Sequence, residues 1–461
     1  MKKPLSKAIK TFYGIGDLGF TLMASVELFL FVFFLTDVAK FSLSTVALIG
    51  SVTSIVDAIL SPFYGAIISG TKPLKWGRNR SWLLIAPPIV VLLYMFQFTK
   101  IGPESTAAVI VCLGFILSHI IWNIAWVANV SLIPVLANNP DEGALLASRR
   151  ATYTAMAGIV FSYTGPPLAI YLGKVTGNQI MGYTLLAGIM ALVMLIGYWI
   201  VFKITDGYEL AGDNEGSSNV PVQKVSFKSM LNSLLQNPPL IVLLIVDFLR
   251  NMGLFITTAA TAYYFTYVAN NMSLLPTYLL LAGIAQTVGS YLAGFLGQKF
   301  SSRTSSIFGL VFAGIGLIIC KFVGLNLVLF FVFALVANIF LGIVYSVIVS
   351  LYSEVSVYAQ WKTGEDTSPF VMGLMNLALK AAVISRGTVI PFVLGAAGFV
   401  AGTDPTTATL ELKNAVINVF VFIPGVLSLV AGLILALGYK LTKEQVIQFQ
   451  KEINQKLQKI T

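Results

Sequence analysis

Residues 54 to 62 read SIVDAILSP, which puts Asp57 in the middle of the apolar run from Val46 to Ile68. A charge at the centre of a membrane helix costs roughly 2.5–3.5 kcal/mol on insertion scales, and ionisable groups kept there usually face an internal cavity and carry function. Asp57 is not alone. Tyr13, Asp17 and Thr21 recur every fourth residue and share one helix face, as do Asp57 with Ser61 and Asn376 with Lys380. The stretch HIIWNIAW sets His119, Trp122, Asn123 and Trp126 at i, i+3, i+4 and i+7, one stripe of rings alternating with imidazole and amide. Glu27, Asn129, Asp247, Arg250, Asn251 and Arg386 also interrupt apolar runs. Such residues can hold a proton or cation, or grip and stack a polar ring.

Each has a plainer reading beside the functional one. Asp17 also suits binding of loop backbone groups, and His119 a hydrogen bond to a neighbouring helix. Asp247 and Arg250, three apart, suit an ion pair within one helix. Asp57 and Lys380 suit either a fixed bridge or a switch. A carboxylate in a low-dielectric cavity is driven neutral by desolvation and charged by a nearby cation. A lysine at about 4 Å would contribute roughly 4 kcal/mol at an effective dielectric near 20. Making and breaking that contact would couple ion binding to movement.

These residues must be positioned by membrane helices. The chain has 461 residues, is 57% hydrophobic and only 10% charged, against about 25% charged in soluble domains. Lipid admits only backbones paired internally, so helices are expected, each of about 20 apolar residues. Spans are expected near 12–36, 43–68, 82–99, 106–136, 151–173 and 180–202, and again near 239–268, 274–297, 305–321, 326–352, 369–400 and 414–439. The fold class is thus all-α integral membrane, twelve transmembrane helices in two six-helix bundles. The expected domains are an N-terminal bundle over 1–202, a polar linker over 203–238, a C-terminal bundle over 239–440 and an amphipathic tail over 441–461. In the tail, Thr442 and Gln445 have capping-box spacing, and Val446, Phe449, Ile453, Leu457 and Ile460 make one apolar stripe suited to the inner membrane face.

Lysine and arginine fix the orientation. Twenty-one fall on the side of the termini and the linker, and five (Lys40, Lys100, Lys174, Lys321 and Lys413) on the other. Both termini are therefore expected in the cytoplasm. The net charge of +10 reflects this asymmetry, and no nucleic-acid partner is expected. Cys112 and Cys320 lie inside apolar runs without metal spacing and read as packing residues. No carboxylate pair, triad, metal cluster or nucleotide loop points to an enzyme or an ATP-driven pump.

Six stretches carry a family resemblance in matching order: YGIGDLG (13–19), LTDVAKFS (35–42), VDAILSPFYGAI (56–67), KWGRNRSWLLI (75–85), AYYFTYV (262–268) and SVYAQWKTGED (356–366). The chain resembles the glycoside–pentoside–hexuronide:cation symporters, the branch of the major facilitator superfamily that includes the melibiose carrier. The resemblance implies alternating access around one midplane site, coupled to H⁺, Na⁺ or Li⁺. It makes Asp57 a cation-binding residue and Lys380 part of the polar centre, with Asn251 matching a seventh-helix asparagine. Asn123 takes the place of a threonine near the cation. It also implies a monomer in the cell membrane, with a small-molecule substrate and no cofactor beyond the coupling ion.

The departures are informative. Thr21 and Trp126 stand where the melibiose carrier has its sugar-gripping acids. Leu60 and Ser61 replace an asparagine and an aspartate, Ser69 the acid between helices two and three, and Glu354 a tenth-helix aspartate. With one carboxylate beside Ser61 and Asn123, the cation-coupling set of Asp57, Ser61, Asn123 and Lys380 favours H⁺ over Na⁺. The expected substrate-binding set is Asp17, Thr21, His119, Trp122, Trp126, Arg149, Asn251 and Asn376. Arg250, Lys380 and Arg386 bias the substrate towards an acid such as a hexuronide. The alternative is a non-sugar organic anion or a steroid-like amphiphile on the same scaffold.

Overall fold

The computed structural model describes residues 3–60, 75–138, 140–209, 237–363 and 368–458. Its regular elements are all helices. The first half contains α1 (Lys7–Phe12), α2 (Ile15–Phe33), α3 (Leu43–Leu60), α4 (Arg78–Gln97), α5 (Glu104–Leu136), α6 (Pro140–Thr176) and α7 (Gln179–Ile204). The second contains α8 (Pro238–Tyr263), α9 (Leu275–Lys299), α10 (Ser302–Val323), α11 (Leu327–Thr363), α12 (Ser368–Ala396), α13 (Leu410–Ile417), α14 (Ile423–Gly438) and α15 (Lys443–Gln458). Among the described residues, eleven helices are long and apolar enough to cross a membrane, and a shorter apolar helix, Leu43–Asp57, stands where the second span is expected. Large apolar side chains such as Leu92, Val109 and Leu433 remain on the surface, where lipid is their solvent.

The two halves repeat one plan. In each, the first span ends in a single π turn, Phe34–Val38 after α2 and Tyr264–Val268 after α8. Two residues beyond each turn comes a non-glycine residue with positive φ, Lys40 at 53° and Asn270 at 47°, a conformation few side chains adopt. The closing bonds match as well: Ala39 N–H to Phe34 C=O and Phe41 N–H to Leu35 C=O, against Ala269 to Tyr264 and Asn271 to Phe265. Such matched irregularity is the mark of an internal repeat.

In the first half, α2 and α7 pack almost backbone to backbone. A Cβ on Gly19 would lie 2.6 Å from the Met194 Cα, and one on Gly197 would lie 2.7 Å from the Ile15 carbonyl oxygen. Lipid gives no hydrophobic drive between helices, so close approach at small residues is what holds them. This half also extends past residue 202, where the linker is expected to begin. Glu209 is buried and caps α4, accepting from the Asn79 and Arg80 backbone N–H groups at 3.1 and 2.9 Å, an anion at a helix N-terminus. The rest of the expected linker, 210–236, lies outside the described residues.

The second half has its core along α8, α10, α11 and α14, with Leu243, Leu310, Val344, Tyr352 and Leu435 fully buried. The expected amphipathic tail forms α15. Val446 and Phe449 of α15 pack against this same core. Phe449 stacks on Trp361 at 4.3 Å, and the Trp361 Nε1–H donates to Glu452 Oε2 at 2.6 Å. Of the expected stripe, Val446, Phe449 and Ile453 lie on packed surface, while the Leu457 side chain and Ile460 lie outside the described residues.

Candidate functional site

The first half holds a ladder of polar and aromatic side chains between α2 and α5. Its lower rung centres on Asp17. Arg150 of α6 donates to it twice, Nε to Oδ2 at 2.8 Å and Nη2 to Oδ1 at 2.5 Å, the bidentate geometry of the strongest charge-assisted pairs. Asn129 of α5 adds Nδ2 to Oδ2 at 3.2 Å, and the Tyr13 hydroxyl donates to the Asn129 carbonyl at 2.6 Å. The Tyr198 hydroxyl on α7 is within electrostatic reach of both charges. It and Asn129 Oδ1 are buried with no hydrogen-bond partner among the described residues. Buried polar atoms left so are costly, which makes this rung a place for water or a ligand hydroxyl.

The upper rung is Glu27 on α2 with His119 on α5, Nε2 to Oε2 at 3.1 Å, both side chains buried. Ten residues separate Asp17 from Glu27 and His119 from Asn129, so the antiparallel helices meet twice, about 15 Å apart. Between the rungs lie rings. Phe20 packs on Trp122 at 5.1 Å and on Trp126 at 6.3 Å. The Arg150 guanidinium lies 5.9 Å from the Trp126 ring, within cation–π range. Trp122 is 7% exposed, whereas Trp126 is 38% exposed and offers a face.

The expected residues distribute as follows. Asp17, His119, Trp122 and Trp126 stand in this ladder. Thr21 lies one turn beyond Asp17, half-buried. The Asn123 amide is turned onto its own helix, donating to the His119 carbonyl at 2.8 Å. Arg149 lies outside the ladder: it is exposed, and its Nε donates to the Lys10 carbonyl at 2.9 Å, while its neighbour Arg150 reaches Asp17. Asp57 on α3 and Lys380 on α12 are each half-buried within their own halves. Ser61 lies outside the described residues, as do the Asn376 and Arg386 side chains.

Asn251 belongs to a separate cluster on α8. There Asp247 Oδ1 accepts from Arg250 Nε at 3.0 Å, Arg250 Nη2 at 2.7 Å and Asn251 Nδ2 at 3.1 Å. Arg250 Nη2 also donates to Asn251 Oδ1 at 2.9 Å, and the Tyr352 hydroxyl of α11 to Asp247 Oδ2 at 3.3 Å. The plainer reading, an ion pair within one helix, is what the structure contains. Glu27, Asn129 and Arg150 are absent from the sequence-derived site set. Asp17 with Glu27 and His119 with Asn129 share a ten-residue spacing, which becomes a signal only once the register of α2 on α5 is known. Among the described residues, no group of three or more His, Cys, Asp or Glu could hold a metal.

This helical plan has known relatives. The chain matches the MFS/sugar transport protein family over residues 12–443. It belongs to that family. It is 24% identical over 418 residues to the isoprimeverose transporter of Lactiplantibacillus pentosus, covering 89% of this chain and 84% of the relative. It is also 24% identical over 455 residues to an Escherichia coli K12 protein whose name proposes a sulfoquinovose importer, covering 98% and 94%. Among solved structures, the D-xylose–proton symporter superposes with a TM-score of 0.68 at 14% identity, covering 95% of this chain and 98% of that one. The MFS sugar transporter assignment agrees with the glycoside–pentoside–hexuronide:cation symporter resemblance. The chain is a multi-pass membrane transporter, not an enzyme.

Proposed function

We propose that this chain is a proton-coupled symporter of a neutral glycoside, working by alternating access, with twelve spans and both termini in the cytoplasm. One observation carries the substrate reading: Arg250, one of the three cations that favoured an acid, is already engaged, and so is Arg150 beside Trp126. Arg150 is held bidentately by Asp17 and Arg250 by Asp247. What the ladder offers instead is an aromatic face at Trp126 and buried polar atoms suited to hydroxyl groups. Rings stack on such faces, and hydroxyl partners give selectivity. The isoprimeverose relative supports a glycoside, and lysine asymmetry supports the orientation.

For the coupling ion, Na⁺ wants several preset oxygen ligands, whereas a proton needs one basic group. Asp57 is the coupling carboxylate carried over from the family resemblance, with Lys380 as its switching partner. The protein acts as a monomer in this reading. The test is uptake into proteoliposomes of isoprimeverose and of its uronate, under an inward pH gradient or an inward Na⁺ gradient. The pH gradient should drive isoprimeverose accumulation, and the uronate should compete poorly. Accumulation driven by Na⁺ alone, or preference for the uronate, would refute the corresponding half of the reading.

A further inference from the structure

The upper rung of the ladder has a proton-counting problem that the lower rung lacks. His119 presents Nε2 to Glu27 Oε2 at 3.1 Å and Nδ1 to the Phe115 carbonyl oxygen at 2.9 Å. Both neighbours are acceptors when Glu27 is ionised. A neutral imidazole has a single N–H. A neutral ring that donates Nδ1–H to the Phe115 carbonyl turns its Nε2 lone pair towards Glu27 Oε2. One further proton resolves this, either on the ring as imidazolium or on Glu27 as a carboxylic acid donating to Nε2. The ring is held in place, stacked on Phe115 at 3.8 Å with planes 5° apart and set against Trp122 at 4.3 Å. Its side chain and that of Glu27 are 6% and 7% exposed, so little water is at hand to cover the mismatch.

We propose that Glu27 and His119 together form a proton-carrying site inside the membrane, distinct from Asp57, which fills and empties during the transport cycle. The inference rests on the proton-coupled reading above and names a second place for the proton. A proton from water on one side forms the N–H or O–H bond. When the gap between α2 and α5 changes, that same bond breaks and the proton returns to water on the other side. A hydronium O–H bond breaks as the first bond forms, and one forms again on release, so the step balances with no oxidant or reductant.

The nearest ionisable groups on the surrounding helices, among the described residues, are these. Tyr94 of α4 donates to the Met23 carbonyl at 2.8 Å. Asp17 and Arg150 bind each other about 15 Å along the ladder, with Tyr198 beside them. Tyr183 of α7 packs on Phe34 at the start of the π turn. Asp57 lies on α3, which packs against α5.

The test has a spectroscopic arm and a transport arm on the full-length reconstituted protein. Infrared difference spectra against bulk pH should show a carboxyl band that titrates, disappears in Glu27→Gln and moves by at least about one pH unit in His119→Gln. In the same variants, pH-driven isoprimeverose accumulation should fall at least about ten-fold further than isoprimeverose exchange between equal concentrations. A wild-type spectrum without a Glu27-dependent band overturns the proposal, whatever the variants do. So does a normal accumulation-to-exchange ratio in Glu27→Gln. If the wild type moves no isoprimeverose, the glycoside reading fails by itself, and the infrared arm still decides the proton site.

Discussion

Each half of this transporter buries an aspartate–arginine pair near the start of its first span, and the two pairs are built differently. Asp17 on α2 takes its arginine from α6 and its amide from α5, so three helices meet on one carboxylate. Asp247 takes both Arg250 and Asn251 from its own helix and, among the described residues, one further hydrogen bond from Tyr352 of α11. A pair closed within one helix keeps its geometry however that helix moves. A pair closed across three helices changes when any of them shifts. The first half can therefore sense rearrangement at its carboxylate, and the second carries its charge as a fixed fitting.

Breaking either pair should be severe. Asp17→Ala and Asp247→Ala each leave a buried guanidinium uncompensated, at about 3–5 kcal/mol, read as a large drop in melting temperature of the detergent-purified protein. Neutralising both partners separates the halves. Asp17→Asn with Arg150→Gln should recover much of the stability yet lower active uptake by about ten-fold or more, whereas Asp247→Asn with Arg250→Gln should lower it by no more than about three-fold. Equal losses of uptake in the two double variants would abolish the contrast.

The aromatic rung gives the next largest effect. Trp122 is buried, so Trp122→Ala should destabilise by about 3–5 kcal/mol. Trp126 is partly exposed and holds little of the core, so Trp126→Ala should leave the melting temperature nearly unchanged. Its loss should instead weaken isoprimeverose binding by about 1 kcal/mol, a five- to ten-fold rise in Kd by calorimetry. Unaltered affinity would remove Trp126 from the site.

How much of this was readable beforehand depends on what the residues report. Eleven of the expected spans were legible because lipid imposes a run length, and among the described residues long apolar helices stand at those places. The Asp247–Arg250 pair was legible because an i,i+3 spacing is a contact within one helix. Arg149 and Arg150 were not separable. Adjacent helical residues point about 100° apart, and only the packing of α6 on α2 decides which one turns inward. Glu27 with His119 likewise needed the register of two antiparallel helices, which no local pattern contains. The start of the tail's apolar stripe was legible as a face, but periodicity could not name Trp361 as the partner of Phe449.

That tail yields the smallest effect and a further check on the second half as the stiffer one. Thr442 and Gln445 cap α15 reciprocally, Thr442 N–H to Gln445 Oε1 at 3.0 Å and Gln445 N–H to Thr442 Oγ1 at 3.3 Å. Glu444 in its first turn has its carboxyl held below the ordinary range by backbone and Thr442 hydrogen bonds. A depressed acid contributes stability above its unfolded pKa and loses it as pH falls through the folded value. Protection of α15 against hydrogen exchange, taken relative to the intrinsic rate at each pH, should therefore fall only at acid pH, below about 4. Thr442→Ala should lower it at all pH values, by the equivalent of about 1 kcal/mol, and flatten the acid response. Because α15 is docked on the end of α11 through Phe449 and Trp361, the same variant should leave exchange in α2 and α5 unaffected. Exchange that spread from the tail to the first half would mean that the second half yields with it and is not the fixed frame.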